Sequence, residues 1–79
     1  MQPKKFKTVD VRSMIAKGAE PFSRIRTAVE ALRPDEGLSV VAPFLPSPLI
    51  ERLGSEGFSS RVARQEDGAW ITYFWRDND

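Results

Sequence analysis

With 79 residues the chain has room for one hydrophobic core, and at that size the net stability is only a few kcal/mol. The absence of cysteine and histidine removes disulfides, thiolate nucleophiles, the usual general base and the commonest metal ligand; zinc sites, Cys-His pairs and Ser-His-Asp triads are excluded by inventory. The 12 basic residues are balanced by 11 acidic ones, so there is no overall pull toward nucleic acid or anionic lipid.

The opening residues hold Lys4, Lys5 and Lys7 and lead into no apolar run, so residues 1–5 read as a flexible solvated tail rather than a signal peptide. No stretch reaches the roughly 18 apolar residues of a membrane span, and the expectation is a cytoplasmic protein without a membrane partner. Phe6 to Val11 alternates weakly and carries two valines, which predicts a first strand ending near Asp10-Val11-Arg12. A loop through Lys17-Gly18 follows. Pro21 then suits the first turn of a helix, where its missing N–H is not needed, and Glu20 before it complements the helix dipole. Phe22, Ile25, Val29 and Leu32 recur at helical spacing and form one apolar face. Pro34-Asp35-Glu36-Gly37 ends the helix.

Leu38 to Ala42 is short, apolar and valine-rich, the pattern of a strand buried on both faces at the centre of a sheet. The next segment, Pro43-Phe44-Leu45-Pro46-Ser47-Pro48, cannot continue a ladder. Ser47 reads as an N-cap with Pro48 at the first helical position, and Leu49, Ile50 and Leu53 as the inner face of a second helix that ends by Gly54 or Gly57. Phe58 to Gln65 and Ala69 to Arg76, joined through Asp67-Gly68, predict an antiparallel hairpin. The order β-α-β-α-β-β predicts a single α/β (α+β) domain over residues 1–79, a two-layer sandwich in which a four-stranded mixed sheet carries two helices on one face.

Val9-Asp10-Val11-Arg12, Gly18-x-Glu20-Pro21-Phe22-x-x-Ile25, Pro34-x-x-Gly37, Leu38-x-Val40 and Gly57-Phe58 together resemble the TusA-like (SirA-like) sulfur-carrier superfamily, over nearly the whole chain. Members of that group place a Cys-Pro-Glu-Pro element before the first helix. Laying Glu20-Pro21 on its second half puts Gly18 at the cysteine and Ala19 at the first proline. A carrier without its thiol cannot relay sulfur. The stretch Ala42-Pro43-Phe44-x-Pro46-x-Pro48-Leu49 is similar to a cysteine-less branch of unassigned function, and that resemblance implies binding or partner recognition rather than persulfide transfer.

The residues themselves offer two candidate surfaces. At the start of the first helix, Asp10, Arg12, Glu20, Pro21 and Arg24 are candidates for a small polar site, with Arg12 or Arg24 receiving an anion. The competing reading is helix-end electrostatics plus an i,i+4 Glu20–Arg24 pair of roughly 0.2–0.5 kcal/mol. Phe44, Leu45 and Pro46 form a stiff apolar loop that either docks a partner or folds back as a lid on the helix layer. The last strand carries large side chains on both faces. If Ile71, Tyr73 and Trp75 face the helices, Trp70 and Phe74 are left on the open face; the reverse exposes Tyr73 and Trp75, and either strip is a candidate homodimer contact.

Asp10, Glu20, Asp35 and Glu36 lie in turn-like contexts open to water, which does not suit general acid/base work. Ser23 and Ser47 lack an activating base, Lys17 being the sole lysine near, and the five glycines have no phosphate-cradling spacing. The sequence therefore predicts a non-enzymatic domain without metal or cofactor that binds a protein partner or a small ligand. An accessory of sulfur transfer that docks a sulfurtransferase-type partner is the alternative. RNA or single-strand binding, through open-face aromatics with Arg61 and Arg64, is the third.

Overall fold

The apolar run at Leu38 to Ala42 forms the middle of the sheet, buried from Gly37 to Ala42, as its unbroken hydrophobicity requires. The structure is a computed structural model describing residues 5–76. In chain order it runs β1 (Lys5–Asp10), α1 (Arg12–Ala16), α2 (Phe22–Glu30), β2 (Glu36–Ala42), α3 (Ser47–Ser55), β3 (Phe58–Arg64) and β4 (Trp70–Arg76). The sheet order is β1-β2-β4-β3, with β1 parallel to β2 and β4 antiparallel to both neighbours. After α3 the chain lays down β3 at the far edge, and the hairpin returns β4 into the gap beside β2.

This is the expected α+β sandwich, with a third helix that sequence reasoning read as loop. The helix α1 has five residues, no side-chain cap and no fully buried residue. Its trace in the sequence is Val11, Met14 and Ile15, an i, i+3, i+4 trio that packs on the core. The flexible tail read over residues 1–5 begins outside the described residues, and Lys5 itself is the first residue of β1, paired with Glu36. Two helix starts also differ. Pro21 precedes α2 at the capping position, and α3 begins one residue early, with Pro46 before it and no side-chain bond from Ser47. The Ser47 N–H already donates to the Leu45 carbonyl at 2.9 Å, so Ser47 is inside the turn.

Register decides which side chains share a face. Val9, Leu38, Val40, Thr72 and Phe74 point to the helices and meet Ile25 and Val29 of α2 and Leu49 and Leu53 of α3 in one core. Phe6, Tyr73 and Trp75 stand on the other face. Of the four aromatic candidates on β4, then, Phe74 is no surface contact: it is fully buried, because its pairing with Leu38 fixes it inward. Trp70 is on the helix side as well, half-buried beneath the Arg64 guanidinium, 5.2 Å from its ring.

Candidate functional site

Two segments far apart in sequence close on a cleft of about 400 Å³ at the carboxyl ends of the parallel strands β1 and β2. One wall is the turn before α2, Gly18, Ala19 and Pro21, continued by Phe22 and Ile25. The facing wall is the loop after β2, Phe44, Pro46 and Pro48, continued by Leu49; Val11, Ile15, Val40 and Ala42 form the floor.

The turn has this shape for local reasons. The one-turn helix α1 ends as Lys17 and Gly18 donate to Ser13 and Ile15 carbonyls. Gly18 adopts φ 78°, the left-handed region that a side chain disfavours, and Ala19 N–H closes onto the Met14 carbonyl at 2.8 Å. Glu20 then turns its carboxylate onto the start of α2. It accepts the Phe22 N–H, the Ser23 N–H at 3.2 Å and the Ser23 hydroxyl at 3.1 Å. Partial desolvation pulls its pKa upward, but these hydrogen bonds outweigh that and hold the carboxyl below its ordinary value. Glu20 thus does the capping work that Pro21 cannot.

The polar candidates do not form one site. The Arg12 guanidinium donates from Nε and Nη2 to Asp10, the closest contact 2.7 Å, and from Nη1 to Asp67 of the β3–β4 turn at 3.2 Å. The Arg12 hydrogen bond, with a further backbone N–H, holds Asp10 below the ordinary carboxylate value. Arg12 is therefore already paired with two carboxylates rather than open to an anion. Arg24 makes no ion pair with Glu20, although the two line one groove between α2 and the α1–β1 side, with Val9, Met14 and Thr27. Between α2 and α3 a second pair, Arg26 with Glu56 at 2.6 and 2.7 Å, ties the helices together. It lowers the Glu56 pKa.

The loop candidates divide as well. Pro46 is buried, whereas Phe44 and Leu45 remain 47% and 41% exposed. Phe44 is thus neither a closed lid nor a free side chain but one lip of the cleft, facing an exposed Phe22 on the other. The contributions of Val11, Ile15, Val40 and Ala42 were missed by sequence reasoning. Each reads as core, and only the folded chain opens a space above them. Ser23, weighed as a nucleophile, donates its hydroxyl to Glu20. Among the described residues no group of three or more His, Cys, Asp or Glu side chains is placed to hold a metal ion, and no helix is long and apolar enough to cross a membrane.

On the open face Phe6 meets Tyr73 edge-on at 5.3 Å and Trp75 at 6.5 Å between ring centres. Arg61 lies opposite Tyr73 in register, while Arg64, three residues on, projects to the helix side. Thr8 and Ser39 hydroxyls share a hydrogen bond of 2.9 Å in the next row.

Fold and cleft together define a small α+β sandwich with an apolar recess where its parallel strands end. Over residues 8–76 the sequence matches the family described as an uncharacterized conserved protein, DUF2249, and the chain belongs to that family. No curated protein and no solved structure gives a significant match.

Proposed function

We propose that the chain is a non-enzymatic binding domain and that the cleft between the Gly18–Pro21 turn and the Phe44–Pro48 loop takes its ligand or the apolar group of a protein partner. The observation that carries this reading is the convergence of two segments, each a candidate on sequence grounds alone, on one recess of about 400 Å³. That volume is in the range of small-molecule sites, which are concave and mostly apolar. The chemistry nearby supports binding over catalysis. Asp10, Glu20 and Glu56 are all lowered in pKa by donors already in place, the opposite of the raised value a general acid needs.

The finer reading is a cysteine-less relative of the TusA-like carriers. Its support is the position of Gly18: the residue that the resemblance sets on the carrier cysteine stands at the mouth of the cleft, so a recess for recognition takes the place of a thiol for relay. The accessory role, docking a sulfurtransferase-type partner, uses the same mouth. Single-strand binding keeps one supporting observation, the co-facial Phe6, Tyr73, Trp75 and Arg61; against it stand a net charge of +1 and the engagement of Arg64 on the opposite face.

The test is fluorescence of the neutral apolar probe N-phenyl-1-naphthylamine. Ala19 is exposed on the rim, so Ala19→Trp fills the recess from its mouth and replaces no core side chain. The wild-type chain is expected to enhance the probe and the variant, folded by circular dichroism, to lose that enhancement. Equal enhancement by both proteins rejects the cleft.

A further inference from the structure

Taking the cleft as the binding site, we infer that its ligand is an amphiphilic carboxylate, with the apolar tail in the cleft and the carboxylate on the Arg52 guanidinium.

The tail end comes first. No lining side chain of the cleft carries a polar atom, so what polar surface it has is backbone. A peptide, polar along its whole length, would bury groups that those side chains cannot partner, whereas a hydrocarbon chain buries none.

The head end lies one helical turn away. A second recess of about 240 Å³ runs between α2 and α3 and adjoins the cleft at Phe22, Ile25 and Leu49, which line both. Its lining also includes Arg26 and Arg52, and no carboxylate lines it. Arg26 follows Phe22 by four positions on α2, and Arg52 follows Leu49 by three on α3. Each arginine therefore branches from its helix about 5 Å farther along than the residue at the cleft wall. The two are not equivalent. Arg26 gives Nη1 and Nη2 to Glu56 at 2.7 and 2.6 Å, while the exposed Arg52 side chain makes no hydrogen bond or ion pair among the described residues. The Arg52 charge helps to lower the Glu56 pKa, but the carboxylate itself is held by Arg26.

Arg52 stands in the last turn of α3, where a cation suits the helix dipole, so its place alone calls for no ligand. Its juxtaposition with an apolar cleft does. A hydrocarbon tail lying in the cleft and leaving past Phe22 and Leu49 brings its end to the one guanidinium there with its donors free. The planar fork of that group matches a carboxylate.

The experiment titrates ¹⁵N-labelled protein with sodium octanoate, 1-octanol and octylammonium chloride, which share a chain and differ in head charge. It follows the amide signals of Val11, Ile25, Phe44 and Leu49. In the wild type octanoate is expected to bind about fivefold more tightly than octanol, the gap of a partly solvated ion pair, and octylammonium more weakly than either. Arg52→Gln is expected to bring octanoate to the affinity of octanol and to leave octanol unchanged. Arg52→Lys keeps the charge without the fork and retains part of the gap. Octanoate no tighter than octanol in the wild type, a gap that survives Arg52→Gln, or a loss of octanol together with octanoate in that variant overturns the inference. The cleft stands in each of those cases, provided Ala19→Trp removes the octanol shifts. If none of the three probes moves the cleft amides at millimolar concentration, the binding site itself is refuted along with the head-group contact.

Discussion

Residues 73 and 74 are neighbouring aromatics on one strand, yet they are held by different physics. Phe74 enters a core to which all four strands and the helices α2 and α3 contribute, where nothing of it remains exposed. Tyr73 lies on a face that no helix covers, half-buried by what the sheet itself provides, chiefly the Phe6 ring set edge-on against it. That second arrangement depends on a missing side chain. A Cβ at Gly37 would meet Phe6 ring carbons at 2.5 and 2.7 Å and the Phe74 carbonyl oxygen at 2.8 Å. The helix-covered face is therefore filled by side chains from different layers, and the open face shields itself by laying a ring from the edge strand over a bare stretch of backbone. A two-layer fold can tolerate an aromatic strip on its uncovered side when one position in the neighbouring strand is empty.

Substitutions on the two faces measure this contrast directly. Phe74→Ala leaves a cavity beneath both helices and is expected to cost about 3–5 kcal/mol in chemical denaturation, whereas Tyr73→Ala should cost only about 1–2 kcal/mol. Equal losses would mean that the open face is packed as a second core. Gly37→Ala comes next, at about 1–3 kcal/mol of destabilisation from overpacking. Pairing it with Phe6→Ala in a double-mutant cycle sharpens the result, because the ring clash disappears and the backbone contact with Phe74 does not. The smallest effect has the opposite sign. Thr72 is fully buried on the helix side, and its hydroxyl has no hydrogen-bond partner among the described residues. Thr72→Val keeps the shape, removes the unsatisfied group and is expected to raise stability by about 1 kcal/mol, read as a higher denaturation midpoint.

The same contrast separates what was legible in the sequence from what was not. Local pattern carried most of the fold. The 3.6-residue recurrence of Phe22, Ile25 and Val29, the valine run at Leu38 to Ala42 and the Asp67-Gly68 turn located α2, β2 and the final hairpin, because these signals act over a few residues and need no partner. The helix α1 escaped, being too short to show a period and lacking a cap. In the candidate site, the individual segments were legible and their grouping was not. The turn at Gly18–Pro21 and the loop at Phe44–Pro48 stood out for glycine, proline and exposed apolar content, but Arg12 and Glu20 read as members of one polar cluster and turned out to hold separate partners, Arg12 reaching Asp67 of the β3–β4 turn and Glu20 the start of α2.

What the sequence by itself determined was the inventory and the periods: no thiol, no imidazole, four strands, two long helices and an alternating β4 with large residues in both phases. What only the tertiary structure decided was phase and adjacency. Alternation states that Tyr73 and Phe74 part ways, but which of them goes inward is set by the pairing of Leu38 with Phe74, a contact between residues 36 positions apart. The cleft is of the same kind. Its two walls meet because β1 and β2 run parallel and end side by side, and no property of either segment alone encodes where the other will be.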